Sequence, residues 1–142
     1  MKDTAVRMQD IEALKPKVLT KIYKGEVKMD NEYVKEEFIT CALLDVGKEP
    51  EVVRSVNVLD TFQSAVDGDI EILTLTPERN ILMVVNAEGK MKKLESNLKL
   101  GNVIVVGNAV IVGSDPKEGE FRSLTNEELQ MALDFLHSSK IR

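Results

Sequence analysis

Apolar and polar positions alternate along this chain in short blocks divided by turn residues. The longest apolar block is 102–113, NVIVVGNAVIVG. It is rich in β-branched residues and interrupted only by Gly107-Asn108-Ala109, which suits an extended segment buried on both faces better than an amphipathic helix. Residues 38–46 (FITCALLDV) read as a strand, 47–50 (GKEP) as a turn, and 51–56 as the partner strand of a hairpin. In 69–76 (DIEILTLT), Ile70, Ile72 and Thr74 face one way and Glu71, Leu73 and Leu75 the other; Pro77-Glu78-Arg79-Asn80 then turns the chain into a returning strand, 81–86.

Helical spacing marks two further elements. Asn57 is an N-cap candidate with Asp60 three residues on, opening a helix over 58–67 whose Val58, Leu59, Phe62, Ala65 and Val66 share an apolar side, with Gly68 to end it. Near the C-terminus, Thr125 and Glu128 match a capping box, and Leu124 and Leu129 are placed to form its hydrophobic staple. Leu129, Ala132, Leu133 and Leu136 give that helix, 125–138, one buried stripe. Residues 90–100 are amphipathic and ambiguous, with Met91, Leu94, Leu98 and Leu100 as apolar members.

The first forty or so residues form a separate block. Val6, Ile11, Leu14, Val18 and Ile22 recur at near-helical spacing, but Pro16 breaks a helix, so one is expected to end near Leu14. A second element from Pro16 to about Tyr23 fits either helix or strand, and 31–38 fit a short helix capped by Asp30 or Asn31. The expected fold class is α+β: a mostly antiparallel sheet of about five strands (38–46, 51–56, 69–76, 81–86 and 103–113), helices 58–67 and 125–138 on one side, and an N-terminal helical extension. The division expected is an extension over 1–41 and a compact unit over 42–142, folding as one body.

Composition narrows the function. At 142 residues, with 43% hydrophobic and 30% charged side chains, the chain is long enough for one domain with its own core. A net charge of -5 argues against a nucleic-acid partner, which needs concentrated Lys and Arg. The one cysteine, Cys41, allows no intrachain disulfide, the first residues lack the apolar stretch of a signal peptide, and no apolar run approaches the roughly 18 residues of a membrane helix. A cytoplasmic location without membrane attachment is therefore expected.

Candidate chemistry is sparse. His137 is the single histidine, near a helix end where an imidazolium is favoured by the macrodipole, and no partner for nucleophilic catalysis is evident. One Cys and one His rule out a tetrahedral metal site of that type. Asp67-x-Asp69-x-Glu71 lacks the rest of a calcium loop, and the glycines fit neither a dinucleotide fingerprint nor a P-loop. No catalytic residue, metal or cofactor is expected. Lys17, Lys21, Lys24 and Lys28, at spacings of four, three and four, would line one side of a helix and are the candidates for contact with an acidic partner. Asn86, Lys90, Asn97 and Asn108 are polar groups near turns at the sheet's edge and are the candidates for a small ligand, although Asn is favoured at turns for backbone reasons alone.

The order of 47–52 (GKEPEV), the helix, 68–72 (GDIEI), 83–90 (MVVNAEGK), 104–113 (IVVGNAVIVG) and Phe121-x-Ser123-Leu124-Thr125-x-Glu127-Glu128 resembles a family of phages, prophages and Firmicute mobile elements, domain of unknown function 3846. The likeness covers about 42–136. Where that family suggests a Leu-Pro-x-Asn-Arg-like segment, this chain keeps Asn97 but has neither the proline nor the arginine. The resemblance implies a mobile-element accessory protein and supplies no reaction. With the sparse chemistry, it leads to the expectation of a non-enzymatic protein that binds and modulates a host protein. The alternative is a small-ligand, nucleotide-type sequestering protein, and an exposed sheet edge in so small a domain also allows a homodimer.

Overall fold

The computed structural model describes residues 17–19 and 37–142. In chain order the elements are β1 (Lys17–Leu19), β2 (Phe38–Leu44), β3 (Glu51–Val56), α1 (Leu59–Val66), β4 (Ile70–Thr76), a 3-10 turn at Pro77–Arg79, β5 (Ile81–Asn86), β6 (Ser96–Leu100), β7 (Val103–Val106), β8 (Ala109–Asp115), β9 (Glu120–Arg122) and α2 (Asn126–Ser139). Seven strands form the main sheet, in the order β1-β3-β2-β8-β5-β4 with β9 also on β8, and β6 and β7 make a separate two-stranded sheet. All pairings are antiparallel except β1 with β3. The architecture is α+β.

β8 is central. It pairs with β5 along one edge and with β2 and then β9 along the other, and its alternate residues enter two different cores. Ala109 and Ile111 pack with Leu44, Met83, Leu129, Leu133 and Leu136 under α2 and the β6–β7 hairpin. Val110 and Val112 pack with Cys41, Val53, Phe62, Val66 and Val84 under α1. Phe121 meets Phe62 edge to face, with ring centroids 5.1 Å apart and planes at 88°.

Both helices were expected on one side of the sheet; they cover opposite faces. The reason lies in the central strands, which are apolar on both faces and need cover on each. The run 102–113 is likewise two strands in two sheets, because Gly107, at φ +82°, takes a left-handed conformation that ends β7 and redirects the chain into β8. The strand count rises above the expected five because β1 and β9, three residues each, join the main sheet. The ambiguous 90–100 segment supplies β6 at its end.

Asn57 does not cap α1. The N-cap is Val58, with no side-chain bond, and the Asn57 amide donates to the Phe121 carbonyl at 3.0 Å. α2 does begin as its sequence indicates: the Thr125 hydroxyl accepts from the Glu128 N–H at 3.1 Å, the Glu128 carboxylate accepts from the Thr125 N–H at 2.9 Å, and Leu124 and Leu129 are both buried in the same core. The expected N-terminal helices lie outside the described residues, apart from Lys17–Leu19, which form a strand. Among the described residues no helix is long and apolar enough to cross a membrane.

Arg122 binds the start of α2 to the sheet. Its guanidinium donates to both Glu128 oxygens, at 2.9 and 3.2 Å, and also to the carbonyls of Ser114, Ser123 and Arg79. Gly113 permits this, since a Cβ there would stand 2.5 Å from the guanidinium. Burial raises the Glu128 pKa, but Arg122 and Thr125 outweigh it and hold the carboxyl below its ordinary value.

Two outcomes follow for α2. Thr125→Ala is expected to cost about 1 kcal/mol in urea unfolding with an unchanged m value. The Glu128 contribution is complete above the ordinary carboxylate range and is lost as pH falls through its lowered folded-state value, so acidification reduces wild-type stability more than that of Glu128→Gln.

Candidate functional site

Three of the four asparagine and lysine candidates hold the fold together at one end of the sheet. Asn86 is buried; its amide donates to the carbonyls of Val66 and Asp67 at 2.9 and 3.0 Å and accepts from the Glu88 N–H at 2.7 Å. Asn108 donates to Ala65 O at 3.1 Å and accepts from Val46 N–H at 2.9 Å. The two side chains thus satisfy the last carbonyls of α1, which its own backbone leaves open. Asn97 is buried and donates to Leu44 O at 2.8 Å and Gly107 O at 2.9 Å, while its own Oδ1 has no partner. Lys90 is exposed.

Of the lysine row, only Lys17 falls among the described residues. Lys17 lies in β1, a strand rather than a helix, and Lys21, Lys24 and Lys28 fall outside the described residues. His137 sits in the last turn of α2, its Nδ1 3.6 Å from Glu49, which Lys140 also contacts at 3.3 Å. That lysine holds the Glu49 carboxyl below its ordinary value. Cys41 is enclosed in the core, and burial pushes its thiol up to about 12, far from a reactive thiolate. Asp67 ends α1 in a left-handed conformation and Glu71 lies on β4, so the acidic triplet is a helix end running into a strand. Among the described residues no group of three or more His, Cys, Asp or Glu side chains is placed to hold a metal ion.

A different feature stands out at the edge of the sheet. β4 pairs with β5 on one side and, among the described residues, has no strand on the other. Its side chains are nevertheless apolar toward both faces: Ile70 and Ile72 toward the α1 side, Leu73 and Leu75 toward the α2 side. Three grooves open along it. On the α1 side, one of about 550 Å³ is lined by Leu59, Phe62, Ile70, Ile72 and Phe121. On the opposite side, one of about 370 Å³ runs between β4 and the β6–β7 hairpin, past Glu71, Leu73, Asn86, Lys90, Met91 and Val103. A third, of about 240 Å³, lies between the end of β4 and α2, past Leu75, Met131 and Phe135.

Seven large apolar side chains are exposed among the described residues, and five of them, Leu59, Ile72, Met91, Val103 and Met131, line these grooves. Apolar grooves on both faces of a strand that is unpaired along one edge among the described residues are suited to holding an extended segment of another chain. Sequence periodicity set Ile72 on the face shared by Ile70 and Thr74, without saying which face is covered. Its exposure depends on the strand order, which puts β4 last; the available signal was a strand apolar on both sides yet carrying the charged Glu71.

Fold and edge together define a small α+β domain whose distinctive surface is a strand edge rather than a polar cleft. The chain belongs to the family described as Domain of unknown function (DUF3846), whose model matches residues 39–137. It matches no curated protein and no solved structure.

Asn97→Ala, which removes a donor from each of two buried carbonyls, is expected to destabilise the fold by about 2 kcal/mol or more. Lys90→Ala, at an exposed position, should change it by less than about 0.5 kcal/mol. Chemical denaturation of the two variants side by side checks the assignment.

Proposed function

We propose that this chain is a non-enzymatic accessory protein of phage or mobile-element origin that binds and modulates a host protein by taking an extended segment of it onto β4. The observation that carries the reading is the gathering of exposed apolar side chains around that unpaired strand. Backbone groups on the outer edge of β4 supply hydrogen bonds to any extended chain, and the grooves on the two faces supply selectivity through alternate side chains. The segment that fits carries large apolar residues toward both faces, as a strand inside a sheet does. Its residues on the α2 side also meet Glu71, Glu88 and Lys90 at the groove rim, which favours a mixed polar flank over a uniformly charged one.

The polar side chains support the same reading. The amide hydrogens of Asn86, Asn97 and Asn108 are bonded within the fold, both Glu128 oxygens are held by Arg122, and the one thiol is inert. The phage or mobile-element origin is what the resemblance in the sequence implies; the family match over residues 39–137 carries no origin of its own.

Photo-crosslinking from position 72 in host lysate tests the proposal. One stoichiometric product, lost in Thr74→Lys protein that retains its far-UV spectrum, is the expected result. Crosslinking that Thr74→Lys leaves unchanged, or an absence of any product alongside a rise in melting temperature with one nucleotide from a panel, contradicts it in favour of ligand sequestration.

A further inference from the structure

We infer that a second copy of this chain occupies the β4 edge when no other partner does, the two β4 strands pairing antiparallel about a twofold axis at Ile72. The inference rests on the reading of β4 as a docking edge and adds what regulates it: self-association and partner binding compete for one row of backbone groups.

The strand is suited to pairing with itself. A twofold axis normal to the sheet keeps each face on its own side, so directly opposed residues must share a face, and the axis must pass between one residue and its own copy. The pairing of β4 with β5 is regular from Ile70 to Thr74 and shifts only between Thr74 and Thr76. The centre of the regular part is Ile72. With the axis there, Ile70 stands opposite Thr74 of the second copy, Glu71 opposite Leu73, and Ile72 opposite itself.

Glu71 is the one charged residue in the strand; it stands opposite an apolar side chain, and its own copy is a diagonal neighbour on the same face rather than the directly opposed residue. Ile72, 46% exposed, is covered, and the two 550 Å³ grooves, each with Leu59 (54% exposed) at its rim, meet beside the axis. The edge otherwise lacks the lysines and inward charges that keep natural sheet edges apart.

Closure favours two copies over many. Among the described residues the other end of the sheet is β1, Lys17–Leu19, and a head-to-tail contact of β4 with that end would propagate without end. The isologous pairing joins like edges and stops at a dimer.

Sedimentation velocity on the purified full chain, with no other protein present, tests this over a range of concentrations. The expected result is a monomer–dimer equilibrium that Ile72→Lys weakens at least about tenfold. The register is read separately from mild oxidation of Ile72→Cys and Glu71→Cys, Cys41 being buried and silent. A thiol placed on the axis lies within reach of its own copy and is expected to form a covalent dimer faster than one at position 71. A monomer at every concentration, or a dimer that Ile72→Lys leaves intact, overturns the inference. Either result leaves binding of a host segment to stand or fall on the crosslinking from position 72, which is made in the presence of host proteins and scored on a heterologous product.

Discussion

The structure depends on a constraint of backbone chemistry: a strand buried on both faces has to be hydrogen-bonded along both edges, because no water is there to satisfy its N–H and C=O groups. β8 meets it in full, with β5 on one side and β2 followed by β9 on the other. From that strand the rest follows. Its alternating residues need two separate covers, so α1 lies over one face while α2 and the β6–β7 hairpin lie over the other. β4 has a related composition, apolar toward both faces, but among the described residues the sheet ends with it. A strand apolar toward both faces thus stands at an edge, with a groove on each flank.

The asparagines do at one end of this sheet what strands do along its length. Asn86 and Asn108 take the last carbonyls of α1, and Asn97 joins Leu44 at the end of β2 to Gly107 at the turn between β7 and β8. The C-terminal tail adds to the same arrangement, with Ile141 N–H donating to Asn97 O at 2.9 Å. Three short amides therefore set how α1 and the hairpin sit against the main sheet. Arg122 serves the start of α2 in the same manner, through Glu128 and three carbonyls. These polar side chains are committed to positioning elements of the fold.

What was legible in the sequence was local. The Thr125–Glu128 box operates over three residues, and it formed as its spacing indicated. The hairpins of β2 with β3 and β4 with β5 were legible for the same reason, through turn residues between alternating strands. What was hidden depended on distance along the chain. Asn97 bonds a carbonyl 53 residues away and Asn57 one 64 residues away, so both looked like surface turn or cap residues. The apolar run 102–113 concealed a change of sheet because only the backbone angle at Gly107 separates its halves. Which helix covers which face, and that β4 rather than β5 is outermost, are properties of strand order, and no window of sequence around Ile72 contains them.

Among the described residues the outer row of β4 backbone groups is unmatched. Amide hydrogen exchange in dilute solution, resolved to single residues, measures this most directly. Fast exchange is expected for the β4 amides that point away from β5, beside strong protection throughout Ala109–Gly113 of β8. Protection of those outward β4 amides equal to that of β8, in protein dilute enough to be monomeric, would contradict it.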